Sequence, residues 1–437
     1  MKLKKTLISI YRRNLAKYFI LRFLKEILIV IYRLTHRLKS LSKNIEQSGE
    51  YSLISLSSFS SSSSANKILI TPEKRLHIPA PNFSGYFSDR ATKSNGRIEI
   101  ETPRLEIFEI SNAMIVGRLD IIFKDRIAVH HNLFDATTHQ TPSENVGVTS
   151  IDRQKNSINL YLTAQPNSIK EAFSMIGQCS GNYAHWLTET LPKLAMLDAC
   201  GEYKDIPIIV DENLHQNMYA SLELINVNRR EIIKIRAWCP LHVEKLILAS
   251  QPGYERYSPH NLNSKEPPHY INRFSPEALC MLKDSIKSSL EPRFSQKNET
   301  IYLARSQKSG NIRHIENITE VESLIAASGI IKIVSDSMSF RDQVTACINA
   351  KIIIAPIGAS LANMIFCPPG CKLIVLSPYY QDASYFYYTN LSGVLGHELY
   401  YVLGQQKNQE LHPAHRNYYI DTKQLTETLE EARSREY

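Results

Sequence analysis

Short apolar runs separated by segments of helical periodicity dominate the middle of the sequence. The runs IPIIV (206–210), EIIKI (231–235) and VEKLILAS (243–250) come after a helical stretch from Tyr183 to Ala199, and a helix-like segment separates the first two runs. Apolar runs of this length, alternating with helices, are typical of strands in a mostly parallel sheet. The pattern therefore predicts an α/β fold for this part of the chain.

The second half of the chain repeats this alternation more regularly. A helix is predicted over Pro276–Leu290, because Ser275 offers an N-cap and a proline occupies the first helical position. Strands are predicted at 300–305, 330–334, 351–356 and 371–377, and helices around 318–328, at 339–349 and from about 360. This β-α-β-α-β-α-β order indicates a second Rossmann-like domain.

The first 43 residues differ from the rest in charge. They contain twelve Lys and Arg but one acid, Glu26, in a chain of net charge +8, so the remainder carries −3. An acidic body argues against a nucleic-acid partner. Apolar positions between Lys17 and Leu41 recur at helical spacing, without the roughly 18 uncharged residues of a spanning helix. We expect an amphipathic helix on an anionic membrane surface. A basic helix packed on its own domain and a short tilted span are the alternatives.

The sequence divides into five predicted parts. Serine dominates the second part, which offers little apolar surface to bury and is therefore predicted to be a flexible linker. The third and fourth parts are the two α/β domains, and the last is a polar tail with a helix near Thr422–Arg433. The parts are 1–47 (basic amphipathic segment), 48–64 (linker), 65–270 (N-terminal domain), 271–402 (C-terminal Rossmann-like domain) and 403–437 (tail).

A strand–glycine–helix turn between Ile352 and Gly370 is the first candidate for chemistry. The apolar strand ends at Pro356, and three small residues, Gly358, Ala359 and Ser360, open the next helix. Free N–H groups at a helix N-terminus favour a phosphate, and small residues let it approach. Many α/β proteins contain such a turn for structural reasons alone, so that alternative stays open.

A histidine and a carboxylate four residues apart form the second candidate. His185 and Glu189 share one helix face beside Trp186, so Glu189 can orient His185 as a general base. The pair could also be a capped surface pair. H-x-x-x-E is not the H-E-x-x-H of zinc proteases, so that class is not indicated.

The segment around this pair resembles glycosyltransferase family 61. That family shows a motif like N-Y-[FY]-H-W-L-x-E-x-L-P-[RK]-L, which is almost intact here from Asn182 to Leu194, with Ala184 at an aromatic position. The family's second motif is similar to APIGASLANMIFCPPG at 355–370, preceded by Asp342-Gln343-Val344 in place of E-Q-[VI].

Two further elements support the resemblance, and three positions depart from the family's pattern. The strand ending at Arg305 resembles a family strand that ends in arginine, and Arg313 with Asn317 resembles the family's R-x-(2,3)-N element. Ile357 stands where the family has histidine, Ser360 replaces its second glycine, and the acid before Gln343 is Asp rather than Glu.

The resemblance implies a GT-B-like enzyme that inverts configuration at the anomeric carbon. Two Rossmann-like domains would face each other, and the C-terminal one would hold most of a nucleotide-sugar donor. No cofactor is expected: the chain has no D-x-D motif, whose paired carboxylates commonly hold a metal on the donor diphosphate. The implied donor-binding residues are Arg305, Arg313, Asn317, Asp342, Gln343, Gly358, Ala359, Ser360 and Asn363.

In the implied mechanism, His185 deprotonates the acceptor hydroxyl and Glu189 orients His185. Arg305 pairs with phosphate, while Gln343 and Asn363 bind ribose, base or sugar hydroxyls. For each polar residue the alternative is stabilisation of a helix or loop; Asn317 could simply cap the helix at Ile318.

The expected partners are a nucleotide sugar and a glycan or lipid-linked glycan acceptor. The expected pathway is capsule or lipopolysaccharide synthesis at the cytoplasmic face of the inner membrane, with residues 1–43 on the anionic surface. The competing interpretation is a degenerate family member that acts as a glycan- or nucleotide-binding scaffold, for which Ile357 is the main support.

Overall fold

The computed structural model describes most of the chain between residues 47 and 435. The predicted amphipathic helix and residues 256–271, which include the predicted boundary between the two domains, lie outside the described residues. The described ranges are 47–62, 66–131, 148–152, 154–162, 164–255, 272–290, 300–305, 313–381, 383–407 and 413–435.

The described residues form a mixed α/β structure. Its strands are β1 (Gln47–Ser55), β2 (Asn66–Thr71), β3 (Arg75–Ile78), β4 (Asn82–Gly85), β5 (Ile98–Glu101), β6 (Leu105–Val116), β7 (Ile121–Lys124), β8 (Ile127–His130), β9 (Thr149–Asp152), β10 (Ser157–Leu162), β11 (Asn167–Ser174), β12 (Ile208–Asp211), β13 (Ile232–Ile235), β14 (Pro240–Ala249), β15 (Gly253–Glu255), β16 (Asn272–Phe274), β17 (Thr300–Ala304), β18 (Ile331–Val334), β19 (Ile352–Pro356), β20 (Lys372–Pro378), β21 (Glu398–Gln406) and β22 (Tyr418–Tyr419).

Helices connect these strands. They are α1 (Leu56–Ser62), α2 (Ser88–Ser94), α3 (Tyr183–His185), α4 (Pro192–Cys200), α5 (Gln216–Ile225), α6 (Pro276–Ser289), α7 (Ile318–Ala327), α8 (Phe340–Ile348), α9 (Phe386–Val394) and α10 (Thr422–Ser434). A π-helical turn (Trp186–Thr190) joins α3 to α4, and 3₁₀ helices lie at Ser335–Ser337, Ala359–Phe366 and Pro413–His415. Among the described helices, none is long and apolar enough to cross a membrane.

The larger sheet combines a parallel part and an antiparallel part. Strands β13, β12, β11 and β14 lie side by side in that order and are parallel, and β14 then pairs antiparallel with β6. The short apolar run at β12 is buried along its whole length, as expected of a strand covered on both faces. When these four parallel strands are numbered by their order in the chain, their order across the sheet is 3-2-1-4. The direction of winding therefore reverses between β11 and β14.

The second sheet is a doubly wound parallel sheet. Its order is β18-β17-β19-β20-β21, all parallel, so the winding reverses between β17 and β19. Alternate residues of β19 enter different cores: Ile353 belongs to the core shared with the first sheet, whereas Ile354 packs among residues of α7 and α10. Helices therefore cover both faces of this sheet, which explains its continuous apolar strands.

The α/β class predicted from the sequence is confirmed, including the alternation of strands and helices in the second half. The GT-B arrangement stays a prediction. The helix expected from about Ser360 is a 3₁₀ helix, Ala359–Phe366, and the helix near Thr422–Arg433 is present as α10.

The prediction of a flexible linker at 48–64 is wrong for its described residues. Strand β1 lies inside the larger sheet, parallel to β8 and antiparallel to β10, and α1 follows it directly. Leu53, Leu56 and Phe59 are 2%, 3% and 4% exposed. A few apolar residues at suitable spacing thus anchor a serine-rich segment, because the pairing of its backbone does not depend on its side chains.

The second sheet also differs from the predicted division of the chain. Strand β4, from the predicted N-terminal domain, pairs in parallel with β21, and β21 itself runs past residue 402 into the predicted tail. The tail is not a polar appendage, since Ile420, Leu425 and Leu429 are buried in the core beneath β19 and β20.

Candidate functional site

The second sheet places two predicted site segments at its point of reversal. Arg305 directly follows β17, and Ile357 and Gly358 directly follow β19, the strand beside it. In open α/β sheets, ligands bind outside the carboxyl ends of the strands where the winding reverses. The topology therefore brings these residues together at the edge where a ligand is expected.

Two arginines converge on a single backbone carbonyl at this edge. Arg305 Nη1 and Arg313 Nη2 donate to the carbonyl oxygen of Ile357 at 3.4 and 3.2 Å, and Arg313 Nη1 donates to that of Ala414 at 3.2 Å. Burial lowers the pKa of Arg305, and the charge of Arg313 lowers it further. Two neighbouring positive charges around a neutral oxygen favour an added anion.

The small residues of the turn lie beside these guanidinium groups. A Cβ placed on Gly358 would lie 3.7 Å from Arg305 Nη1, and the 3₁₀ helix begins at the next residue, Ala359. The hydroxyl of Tyr388 donates to the carbonyl oxygen of Gly358 at 2.6 Å and fixes the turn. Gly358, Ala359 and Ser360 are all half-buried, so a group approaching the arginines would meet the first N–H groups of this helix.

Ile357, which replaces the family histidine, has a structural role here. Its side chain packs against the core shared by the two sheets, and its N–H donates to Leu376 in the neighbouring strand at 2.9 Å. The substitution thus removes an imidazole but leaves the carbonyl oxygen that both arginines bind.

The predicted ligands Gln343 and Asn363 lie in a buried hydrogen-bond network instead of an open pocket. Tyr183 Oη donates to Asn363 Oδ1 at 2.8 Å and lies 3.2 Å from Gln343 Oε1, which also accepts from Asn363 Nδ2 at 3.0 Å. Gln343 Nε2 donates to Ser335 and Met338 carbonyl oxygens at 2.9 and 3.3 Å. The network ties α3 to α8 and to the 3₁₀ helix that follows β19.

Asp342 and Asn317 serve local structure. Asp342 Oδ2 accepts from Ser339 Oγ at 2.6 Å, and Ser339 Oγ accepts from the Asp342 N–H at 3.2 Å, so the two residues close the first turn of α8. Asn317 stands at the N-cap position of α7, but its side chain makes no capping bond; it exchanges two hydrogen bonds, of 2.8 and 3.0 Å, with the backbone of Ile420. Donor binding by these residues stays a prediction.

His185 and Glu189 form a close pair. His185 Nδ1 lies 2.6 Å from Glu189 Oε1, and each side chain is 14% exposed. With the Nδ1 proton donated to the carboxylate, Nε2 is the basic nitrogen of the ring. The carboxylate therefore lies where it can orient the histidine, and the catalytic role of the pair stays a prediction.

A π-helical turn shapes this pair. Leu191 N donates to the Trp186 carbonyl oxygen at 2.7 Å, five residues back, and Pro192 follows at the start of α4. Trp186 is fully buried and donates from Nε1 to Ser221 at 2.8 Å, which anchors the turn to α5. Single π turns within helices are frequent at functional sites.

Two consecutive tyrosines of α9 connect the histidine to the arginine-lined turn. The ring of Tyr387 meets that of His185 edge-on, with centroids 5.9 Å apart, and its hydroxyl lies 3.1 Å from Thr188 Oγ1. The next residue, Tyr388, holds Gly358. Neither tyrosine was predicted from the sequence, because nothing in their local pattern separates them from core aromatics.

A buried charged cluster lies on the other side of Glu189. Lys193 is 2% exposed, and its ammonium interacts with the carboxylates of Glu189, Asp120 and Asp211. Lys193 and Asp120 line a small cavity with Ser174 and Ala249, the last residues of β11 and β14, where the first sheet reverses. Lys193 is the basic residue of the L-P-[RK]-L motif, so the sequence contained this signal.

Burial shapes the titration of this cluster. It raises the pKa of Asp120 to about 6, although the charge of Lys193 and an N–H from Gln178 oppose the shift. Oδ1 of Asp120 is buried and, among the described residues, has no hydrogen-bond partner. Asp211 is better satisfied, because Ser180 Oγ and Arg118 N donate to it at 2.6 and 2.7 Å.

Within the part of the chain that the structure describes, no three His, Cys, Asp or Glu residues group as metal ligands would. The prediction that no metal is needed remains untested. The described cysteines are free thiols.

Comparison with known proteins adds one match. Residues 183–374 match the family model described as Glycosyltransferase 61, which confirms the resemblance derived from the motifs. The match begins at Tyr183 of the buried network and ends within β20, so it includes the histidine pair and the turn after β19. No curated protein matches the chain.

Proposed function

We propose that the chain, whose residues 183–374 match glycosyltransferase family 61, transfers a sugar from a nucleotide-sugar donor to a hydroxyl of a glycan acceptor, with inversion at the anomeric carbon. The proposal includes a GT-B-like arrangement, in which the first sheet supplies the base and the second sheet holds the donor.

One observation carries this proposal. The His185–Glu189 pair and the arginine-lined turn at Gly358 come from distant parts of the chain. Even so, Tyr387 contacts His185, and the next residue, Tyr388, contacts Gly358. A candidate base and a candidate anion site therefore lie against the same helix. An in-line displacement needs a base and a leaving-group site at the same centre, and the shared helix supports this assignment.

The chemistry follows from these groups. His185 Nε2 takes the proton of the acceptor hydroxyl while the acceptor oxygen bonds to C1 of the sugar and the bond from C1 to the diphosphate oxygen breaks. Glu189 accepts the Nδ1 proton in a hydrogen bond and stabilises the imidazolium that forms. Arg305, Arg313 and the N–H groups at the start of the 3₁₀ helix offset the charge that develops on the leaving diphosphate.

We further propose that the reaction needs no metal, since the two guanidinium groups supply the positive charge that a divalent ion otherwise brings to a diphosphate. The basic segment 1–43 would bind an anionic membrane surface, placing the enzyme at the cytoplasmic face of the inner membrane with a lipid-linked acceptor. Capsule or lipopolysaccharide synthesis fits this location.

The first prediction concerns the base. His185→Ala should lower kcat by about 100-fold or more, with donor binding unchanged, because proton transfer by a positioned base contributes about 10² to 10⁴ in rate. Release of nucleoside diphosphate from a panel of nucleotide sugars, in the presence of acceptor glycans and EDTA, measures this. His242→Ala, in strand β14, is the matched control and should retain wild-type activity.

Equal activity of the His185→Ala and wild-type enzymes would overturn the assignment of the base. A well-folded wild-type chain that turns over no nucleotide sugar, with or without metal, would instead favour the degenerate scaffold.

A further inference from the structure

A partly exposed aromatic cluster lies at the edge of the second sheet. Tyr86, Phe87 and Tyr379 form it: the ring centroids are 4.3 Å apart for Tyr86 and Phe87, 5.2 Å for Phe87 and Tyr379, and 6.1 Å for Tyr86 and Tyr379. Tyr86 and Phe87 are 37% and 42% exposed. Clustered exposed aromatics are unusual on a soluble surface and mark sites where something else is bound.

The cluster shares its edge with the two arginines. Tyr86 and Phe87 follow β4, Tyr379 follows β20, and both strands are parallel to β21, as are β17 and β19. The carboxyl ends of all these strands therefore meet at one edge. Adjacent strands lie about 4.8 Å apart, so the cluster extends from about 5 to about 15 Å from the turn after β19.

Tyr380 relates the aromatic cluster to the arginines. It follows Tyr379 in the chain, and the positive charge of Arg313 acts on its hydroxyl, which lowers a pKa that burial raises. The aromatic cluster and the guanidinium pair thus lie at the two ends of the stretch of sheet edge that runs from β17 to β4. One end offers π faces and the other offers positive charge.

The backbone is bent to present these rings. Phe87 has φ +56°, a left-handed conformation that is rare for a bulky side chain. Gly85 before it has φ +83°, and a Cβ there would lie 2.5 Å from the Leu403 carbonyl oxygen, to which Tyr86 N donates at 2.9 Å. Strain of this kind persists where the surroundings enforce it, and it concentrates at functional sites.

We propose that Tyr86, Phe87 and Tyr379 form the subsite for the nucleobase of the donor, a role that rests on the proposed function. The diphosphate binds at Arg305, Arg313 and Gly358, and the chain of ribose and phosphates spans the edge to the rings. The guanidinium of Arg90 lies 4.5 Å from the centre of the Phe87 ring and holds this ring by a cation–π contact. Stacking tolerates every base, so this subsite supplies affinity without choosing the nucleotide.

The test compares a ligand that has a base with one that lacks it. Dissociation constants of the uridine, guanosine, adenosine, cytidine and thymidine diphosphates and of inorganic pyrophosphate are measured for the full chain and for Phe87→Gly and Tyr379→Ala. We expect each variant to weaken the best nucleoside diphosphate about 5- to 100-fold and to leave pyrophosphate binding unchanged. Tyr379→Phe, which keeps the ring, should bind like the wild type.

Glycine is chosen at position 87 so that a loss of affinity can be distinguished from a loss of folding. Glycine adopts the left-handed conformation without strain, so this variant should melt no lower than the wild type if the ring serves a ligand. Unchanged nucleotide affinity in both ring-deleting variants would overturn the base subsite while the proposed function stands. Equal weakening of pyrophosphate would also overturn it, because the effect would then not depend on the base. A third outcome is that the wild type binds pyrophosphate and binds none of the nucleoside diphosphates more tightly than pyrophosphate. That result would overturn the proposed function and this subsite together.

Discussion

At the scale of single residues, side chains near the site divide between those that could meet a ligand and those already used by the fold. Gln343 and Asn363 are 5% and 1% exposed, and they bind each other and Tyr183. Arg305 and Gly358 instead lie at the open edge of a sheet. The motif indicated all four, but a motif cannot separate a residue that holds the site together from one that contacts the donor.

Asp120 provides a prediction at this scale. Its pKa rises on folding from the ordinary 3.8 to about 6, so the folded state keeps a proton that the unfolded chain has lost. The protonated Asp120 therefore contributes to the stability of the folded state below about pH 4, and this contribution is lost as the pH rises through about 6. Between these values, the wild type should therefore lose stability relative to Asp120→Asn.

Melting temperatures of both proteins from about pH 4 to 7 measure this difference. Lys193, Glu189, Asp211 and His131 also lie near this group, and all four are present in both proteins. Asp125→Asn, at an exposed turn, is the control and should parallel the wild type. Parallel curves for Asp120→Asn and the wild type would show that this carboxyl is not shifted.

At the scale of elements, the regular alternation of strands and helices in the second half was predictable from the sequence. The pairing of the isolated strand β1 with the larger sheet was not. The buried parallel strands of the second half have continuous apolar runs, and their helices have recognisable caps such as Ser275 and Ser339. Strand β1 has no comparable run, because serine and glutamate occupy its exposed positions. Its buried apolar residues, Tyr51 and Leu53, alternate as a strand requires, but the serine-rich composition obscured so short a signal.

The position of β1 in the sheet predicts a stability effect that a linker would not show. Leu53→Ala should lower the free energy of unfolding by about 2 to 5 kcal/mol, because it leaves a cavity in a packed core. Ser52→Ala, one residue away on the exposed face, should change it by less than about 0.5 kcal/mol. Denaturant unfolding monitored by tryptophan fluorescence compares the two. Equal, negligible effects would mean that this segment does not pack in the sheet.

At the scale of the whole molecule, the site depends on contacts that no local pattern specifies. Tyr183 reaches Asn363 across 180 residues, and Tyr387 reaches His185 across about 200. The sequence and the family resemblance indicated which segments matter, and the doubly wound order explains why Arg305 and Gly358 meet. The resemblance did not include β4, so the aromatic cluster could not have been expected from it.

The central claim is that the edge of the second sheet binds the diphosphate of a nucleotide sugar through Arg305. The most direct test is the dissociation constant of nucleoside diphosphates in EDTA, for the wild type, Arg305→Gln and the exposed control Arg236→Gln. We predict that the wild type and Arg236→Gln bind at least one of them equally well, and that Arg305→Gln binds it at least about 10-fold more weakly, since a charge-assisted bond is lost. Undiminished binding by Arg305→Gln, or no binding by a folded wild type, would contradict the claim.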